Sequence, residues 1–145
     1  MPLPIDMKDD PLALAVRSSD VLETLNYQPL KISNLAAASY MLKIDGKEVA
    51  SFSKEDLASG VNLAVVQTPM LKQAIEVHAL TLKHNNIHFA RWRTVQVPLQ
   101  EMMTPAVKNA MKALDDLEAE VVMQQQAKRR PQPHRFELIP QQKKS

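Results

Sequence analysis

SYMLKIDGKEVASFS, Ser39 to Ser53, is the stretch on which the fold turns. Apolar and polar residues alternate on both sides of Asp45-Gly46. A two-residue type I′ turn needs positive φ at both central positions, which Asp tolerates and Gly accepts freely. Such a loop pairs Ile44 with Lys47, Lys43 with Glu48 and Leu42 with Val49. Opposite charges then meet on one face and apolar side chains on the other, each pair contributing roughly 0.2–1 kcal/mol. LKISNL (Leu30–Leu35) alternates as well and is expected to be a third strand beside this hairpin. Three strands with one apolar face need a helix to cover that face.

Helical signals lie on both sides. Ser53 is an N-cap for a short helix over 54–59, with Asp56 three residues on and Gly60 ending it. Thr68-Pro69 and Thr104-Pro105 are two clear helix starts, a cap followed by the residue that prefers the first turn. After the first, Leu71, Ile75, His78 and Leu82 share a face, which makes His78 a partly buried packing residue. Asn85-Asn86 ends or bends this helix, and Pro98 stops the segment that follows. After the second, Val107, Ala110, Leu114, Leu117 and Val121 recur at a 3-4-3-4 spacing, the seam of a helix packed lengthwise on another. A further helix is expected over Pro11–Leu25. The chain thus reads as α+β: a small antiparallel sheet of about three strands containing the Asp-Gly hairpin, then two long helices. The expected segments are a lead-in over 1–29, a β-rich insert over 30–66, a helical segment over 67–127 and a basic Pro/Gln-rich tail over 128–145.

Composition narrows the chemistry. Among 145 residues there are ten prolines, two glycines and no cysteine. Phosphate cradles and nucleophile elbows lean on glycine. The lack of cysteine excludes disulfides, thiol catalysis and cysteine-ligated zinc. No segment has the roughly 20 apolar residues that cross a bilayer, and the first residues lack the pattern of a signal peptide. The net charge of +2 divides into a mildly acidic body and a basic tail, where six Lys/Arg face the single Glu137. The tail has few aromatics for stacking on bases, so it reads as solvated, and neither nucleic acid nor membrane is an expected partner.

His84 and His88 are four apart and share a helix face, but no acidic residue within 77–100 completes a metal set. Asp9-Asp10 and Asp115-Asp116 read as solvated charge. In HFARWR (His88–Arg93), Arg91 and Arg93 flank Trp92. That allows cation–π stacking or anion contact. The simpler expectation is that Trp92 anchors a core poor in aromatics, with the arginines reaching outward.

Several stretches together resemble a known family: LPID, LNYQPLKISNL, YMLKIDGKEVASFSKEDLASGVNLA, TPMLKQAIEVHAL and HFARWRTVQVP. They are similar to the C-terminal portion of bacterial SGNH (GDSL-type) hydrolases, over nearly the whole chain from about Leu3 to Pro140. The resemblance implies a segment of an α/β serine esterase whose catalytic residues lie in G-D-S, G-x-N and D-x-x-H blocks. No G-D-S occurs here. Gly60-Val61-Asn62 has the letters of G-x-N, but in this subgroup it belongs to the insert. The positions three before His78, His84, His88 and His134 hold Ile75, Thr81, Asn85 and Pro131, so no D-x-x-H exists. The expectation is no catalytic, cofactor-binding or metal-binding residue and no cofactor. The chain would be a non-catalytic module or fragment, inactive alone and marginally stable alone, with an exposed apolar surface. Its partner would be a catalytic hydrolase domain or a second copy. The alternatives are a stand-alone interaction protein docking through the 105–127 helix, and a cryptic esterase.

Overall fold

The hairpin forms as its turn chemistry dictates. Asp45 and Gly46 take φ of 53° and 75°, joining β2 (Ser39–Ile44) to β3 (Lys47–Ser53). The structure, a computed structural model, describes residues 1–5 and 9–141. Ile44 faces Lys47 and Lys43 faces Glu48, with the Lys43–Glu48 ion pair at 3.3 Å. The expected Leu42–Val49 pair is corrected. Leu42 lies opposite Ala50, because the register shifts between Leu42 and Lys43 and leaves Val49 as an extra residue on β3. A bulge of this kind bends the strand and increases its twist. Val49 still packs against the core.

The third strand is not the expected one. β2 is central, flanked by β3 and by β5 (Phe136–Gln141). β5 runs antiparallel to β2, with Leu42 opposite Leu138 and Tyr40 opposite Pro140. Pro140 has no N–H to give a ladder, and it is tolerated because β5 is an edge strand. The tail read as solvated over 128–145, with Phe136, Leu138 and Ile139 able to dock back on the body and QQKKS (141–145) expected to be disordered, is in part a sheet strand that includes Gln141; residues 142–145 lie outside the described residues. Leu30–Leu35 does not join this sheet. Only Pro29–Leu30 (β1) is a strand, paired with Val61–Asn62 (β4) in a separate two-stranded sheet. Beyond it Asn34 adopts a left-handed φ of 62°, which breaks an extended run.

The helix expected over Pro11–Leu25 is divided. α1 covers Asp10–Arg17 and α2 only Val21–Thr24. The hydroxyls of Ser18 and Ser19 donate back to the carbonyls of Ala15 and Val16. Such local bonds compete with continuation of a helix. α3 (Lys54–Ser59) carries the full capping box: Asp56 N donates to Ser53 Oγ, and Ser53 N to the Asp56 carboxylate. α4 runs from Pro69 to Phe89 through Asn85-Asn86, and a π-helical segment follows over Ala90–Gln96. α5 covers Pro105–Lys128 behind its Thr104 cap. The fold is thus α+β, with small antiparallel sheets and long helices.

Two compact units divide the chain: Met1–Ala74 with Pro131–Ser145, and Ile75–Arg130. The first has an apolar core of Leu42, Ile44 and Leu63, with Leu30, Phe52, Val66, Met70 and Leu138 packed on it. Tyr40, Leu42 and Ile44 are all buried, the inner face of a strand with period two. The second is a helical unit built from the rest of α4, the π-helical segment and α5. Its expected seam holds at Val107 and Val121, which are buried, while Ala110 and Leu117 are exposed. The inward line is 107, 111, 114, 118, 121 and 125 instead, and it brings in Glu118 and Gln125. His78, expected to be partly buried, is exposed. Leu42→Ala should lower unfolding free energy by about 2–5 kcal/mol. Leu14→Ala, at an exposed position, should stay within about 0.5 kcal/mol. Urea denaturation of both variants checks this; similar effects would contradict the assigned core.

Candidate functional site

The densest group of chemically capable side chains lies between the two long helices of the second unit. α4 presents His84 and His88 one turn apart, and Arg91 follows in the π-helical segment. α5 presents Asp115 and Glu118, three apart and so on adjoining faces. His84 Nε2 lies 2.7 Å and His88 Nδ1 3.4 Å from the same Glu118 oxygen. An ionised carboxylate only accepts, so His84 Nε2 carries a proton in this contact. Arg91 donates from Nε and Nη2 to the two Asp115 oxygens, a bidentate pair, and from Nη1 to Gln96 Oε1. The Asp115 hydrogen bond holds the guanidinium above its already high pKa. Further along, Gln125 Nε2 donates to Thr81 Oγ1 and Lys128 pairs with Glu76.

The sequence suggested the His84–His88 pair but offered no carboxylate near it, because Glu118 lies 34 residues downstream. Among the described residues, no group of three or more His, Cys, Asp or Glu is arranged to hold a metal ion. The unit also lacks a nucleophile of the usual kind: residues 75–130 contain neither serine nor cysteine. The imidazoles are tied to a carboxylate, and the hydroxyl one turn from His84, that of Thr81, donates to the Val77 carbonyl and accepts from Gln125. A groove of about 620 Å³ adjoins them, lined by His88, Arg91, Asp115, Glu118, Ala119, Val122 and Met123. Trp92 is not the core anchor expected of it. It is 48% exposed, and the Arg93 guanidinium stacks 5.9 Å from its ring centroid.

Two further polar centres belong to the first unit. Asp45, read from the sequence only as a turn residue, accepts from His134 Nδ1 at 2.7 Å and from the Arg135 amide at 2.9 Å. The Asp45 amide donates to the Arg135 carbonyl. No local signal announces this contact, since the partners are about 90 residues apart. Asn62, of the Gly60-Val61-Asn62 triplet, uses its whole amide. Its oxygen accepts from the amides of Gln28 and Ala64, and its nitrogen donates to the carbonyls of Leu22 and Asn26. An asparagine so engaged has no N–H left for a developing oxyanion. Ser18, Ser19, Ser53 and Ser59 bond their own helix ends. The Asp45–His134 pair has no serine hydrogen-bonded to it among the described residues.

No family model matches the sequence, and no curated protein matches it. Among solved structures, the fold is similar to that of a gut microbial diltiazem-metabolizing enzyme, with a TM-score of 0.68 and 18% sequence identity. The likeness covers 97% of this chain and 41% of that one. The chain therefore spans less than half the length of the enzyme it resembles, and at this identity the likeness shows the fold alone.

The Asp45 carboxyl is held below the ordinary carboxylate range, first by the His134 hydrogen bond and then by the Arg135 amide. A carboxylate depressed in the folded state stabilises the fold above its unfolded pKa. That contribution is lost as pH falls through the folded value. Asp45→Asn should therefore destabilise the protein near neutrality, and its deficit against wild type should shrink towards about pH 2. Thermal melts across this range check it; a deficit independent of pH would contradict the clamp.

Proposed function

We propose that this chain is a non-catalytic C-terminal module of an SGNH/GDSL-type hydrolase, inactive in ester hydrolysis by itself. Its work is to support or cover the cleft of a catalytic domain. The observation that carries the proposal is the spending of its polar side chains. His84, His88 and His134 are each bonded to a carboxylate, with no serine or threonine hydroxyl hydrogen-bonded to them among the described residues, and His78 is exposed. Asn62, the one residue with the letters of an oxyanion block, has both amide protons committed to backbone carbonyls. The ordered motifs from Leu3 to Pro140 support the family placement. The fold occurs as 41% of a longer enzyme chain, which supports reading this chain as one part of a larger protein.

Docking through the inner face of α5 is the weaker reading, because Val107 and Val121 are already buried. A cryptic esterase would need a serine held on an exposed turn with a base beside it, and the described serines serve as helix caps or lie in strands and loops. Incubation with p-nitrophenyl acetate and with a serine-reactive fluorophosphonate is expected to give neither turnover nor labelling. Stoichiometric labelling of one serine, with turnover abolished by its replacement with alanine, would overturn the proposal.

A further inference from the structure

α4 has a second face. Its inner side carries His84, His88 and the other groups bonded to α5, and Leu82 and Phe89 lie on a different side. They are seven residues apart, two turns, and so stand in one line along the helix. Leu82 is 50% exposed and Phe89 57%. Trp92 follows within a turn, where the helix widens into the π-helical segment, a feature frequent at functional sites. Three large apolar side chains are thus left uncovered on a unit whose interior is partly polar. Apolar side chains clustered on one surface mark interaction sites, whereas singly scattered ones need no explanation.

The charged residues of the segment itself are all basic, and Glu76, which lines a groove with Lys83, is paired with Lys128. From Val77 to Gln100 there is no Asp or Glu. Arg91 is occupied by Asp115, but Lys83 and Arg93 are exposed and have no ion pair among the described residues. Arg93 lies over Trp92, so the cation and the ring form one joint contact.

We infer that this face docks a partner protein through a helix or ridge with an apolar centre and an acidic rim. The charge pattern selects this occupant over two others. In a two-fold pairing with a second copy, the same patch meets itself. Lys83 and Arg93 would then have only cations as charged partners, and like charges across an interface are unfavourable. Burial in a membrane surface asks for a broad apolar face, whereas this line is interrupted by the exposed His78, Asn85 and Asn86. The inference concerns an outer helix face and stands whether or not the hydrolase-module reading holds.

Trp92 is the chain's one tryptophan, so its emission reports directly on this face. The probe is a three-heptad helical peptide with leucine at a and d and glutamate at e and g. A sister peptide carrying lysine in place of glutamate is the control. The glutamate peptide should shift Trp92 emission to the blue in a saturable way and bind at least about tenfold more tightly than the lysine peptide. Added salt should weaken that binding. Leu82→Asp should abolish it. The double variant Lys83→Glu, Arg93→Glu should reverse the preference between the two peptides; all three positions are exposed, and far-ultraviolet circular dichroism checks that each variant is folded. Absence of a saturable shift with the glutamate peptide would overturn the inference. So would a shift produced only by anionic phospholipid vesicles or by single-stranded nucleic acid. A doubled mass by light scattering, lost in Leu82→Asp, would assign the face to a second copy instead.

Discussion

The Asp45 carboxylate joins two segments that are 90 residues apart. It occupies the two-residue turn where positive φ at Asp45 and Gly46 points β3 back along β2. From there its two oxygens each accept a hydrogen bond, one from His134 and one from the Arg135 amide, at the point where β5 begins. The turn that starts the hairpin is therefore also the joint that delivers the third strand. Without β5, one backbone edge of β2, the strand whose inner face carries Tyr40, Leu42 and Ile44, would be open. A two-stranded ribbon is marginal in water, and an open edge is a template for wrong pairing. The apolar core of the first unit, with Leu138 packed on Leu42 and Ile44, depends on this closure.

The second unit rests on a different balance. Its inner line contains Glu118 and Gln125 beside Val107 and Val121, so hydrogen bonds and ion pairs carry part of what apolar burial carries elsewhere. Partly exposed pairs of this kind add little stability each. They do fix which residues face each other, because an unpaired carboxylate or guanidinium in that seam would be costly. His84, His88 and Arg91 look reactive by type, yet each already has a partner. Uncovered apolar side chains on the opposite side of α4 are what a supporting module would offer a neighbour.

Local features were legible in the sequence because their causes are local. Asp45-Gly46, the Ser53–Asp56 box and the Thr-Pro starts of α4 and α5 each need only a few adjacent residues. Lys43 and Glu48 could be paired by counting outward from the turn. Features set by distant residues were not legible. HRFELIPQ carries a proline and reads as an exit whose Phe136, Leu138 and Ile139 can dock back on the body, and it becomes a strand because β2 offers it an edge and Asp45 a fixed end. LKISNL alternates like a strand, but Asn34 turns left-handed and the chain leaves. The bulge at Val49 displaced one predicted pair while leaving the two nearest the turn intact. In α5, the strict heptad reading placed Leu117 inside, although the 3.6-residue period had by then carried the inward line to Glu118. That single step hid the carboxylate that joins His84 and His88.

β5 is a full member of the sheet, held at its start by Asp45. Amide hydrogen exchange measures this directly. If it is right, the β5 amides that face β2 exchange as slowly as the core amides of β2, and Asp45→Ala speeds exchange in β5 before it affects β3. Fast exchange throughout 136–141 in the wild-type protein, with β2 and β3 still protected, would contradict it.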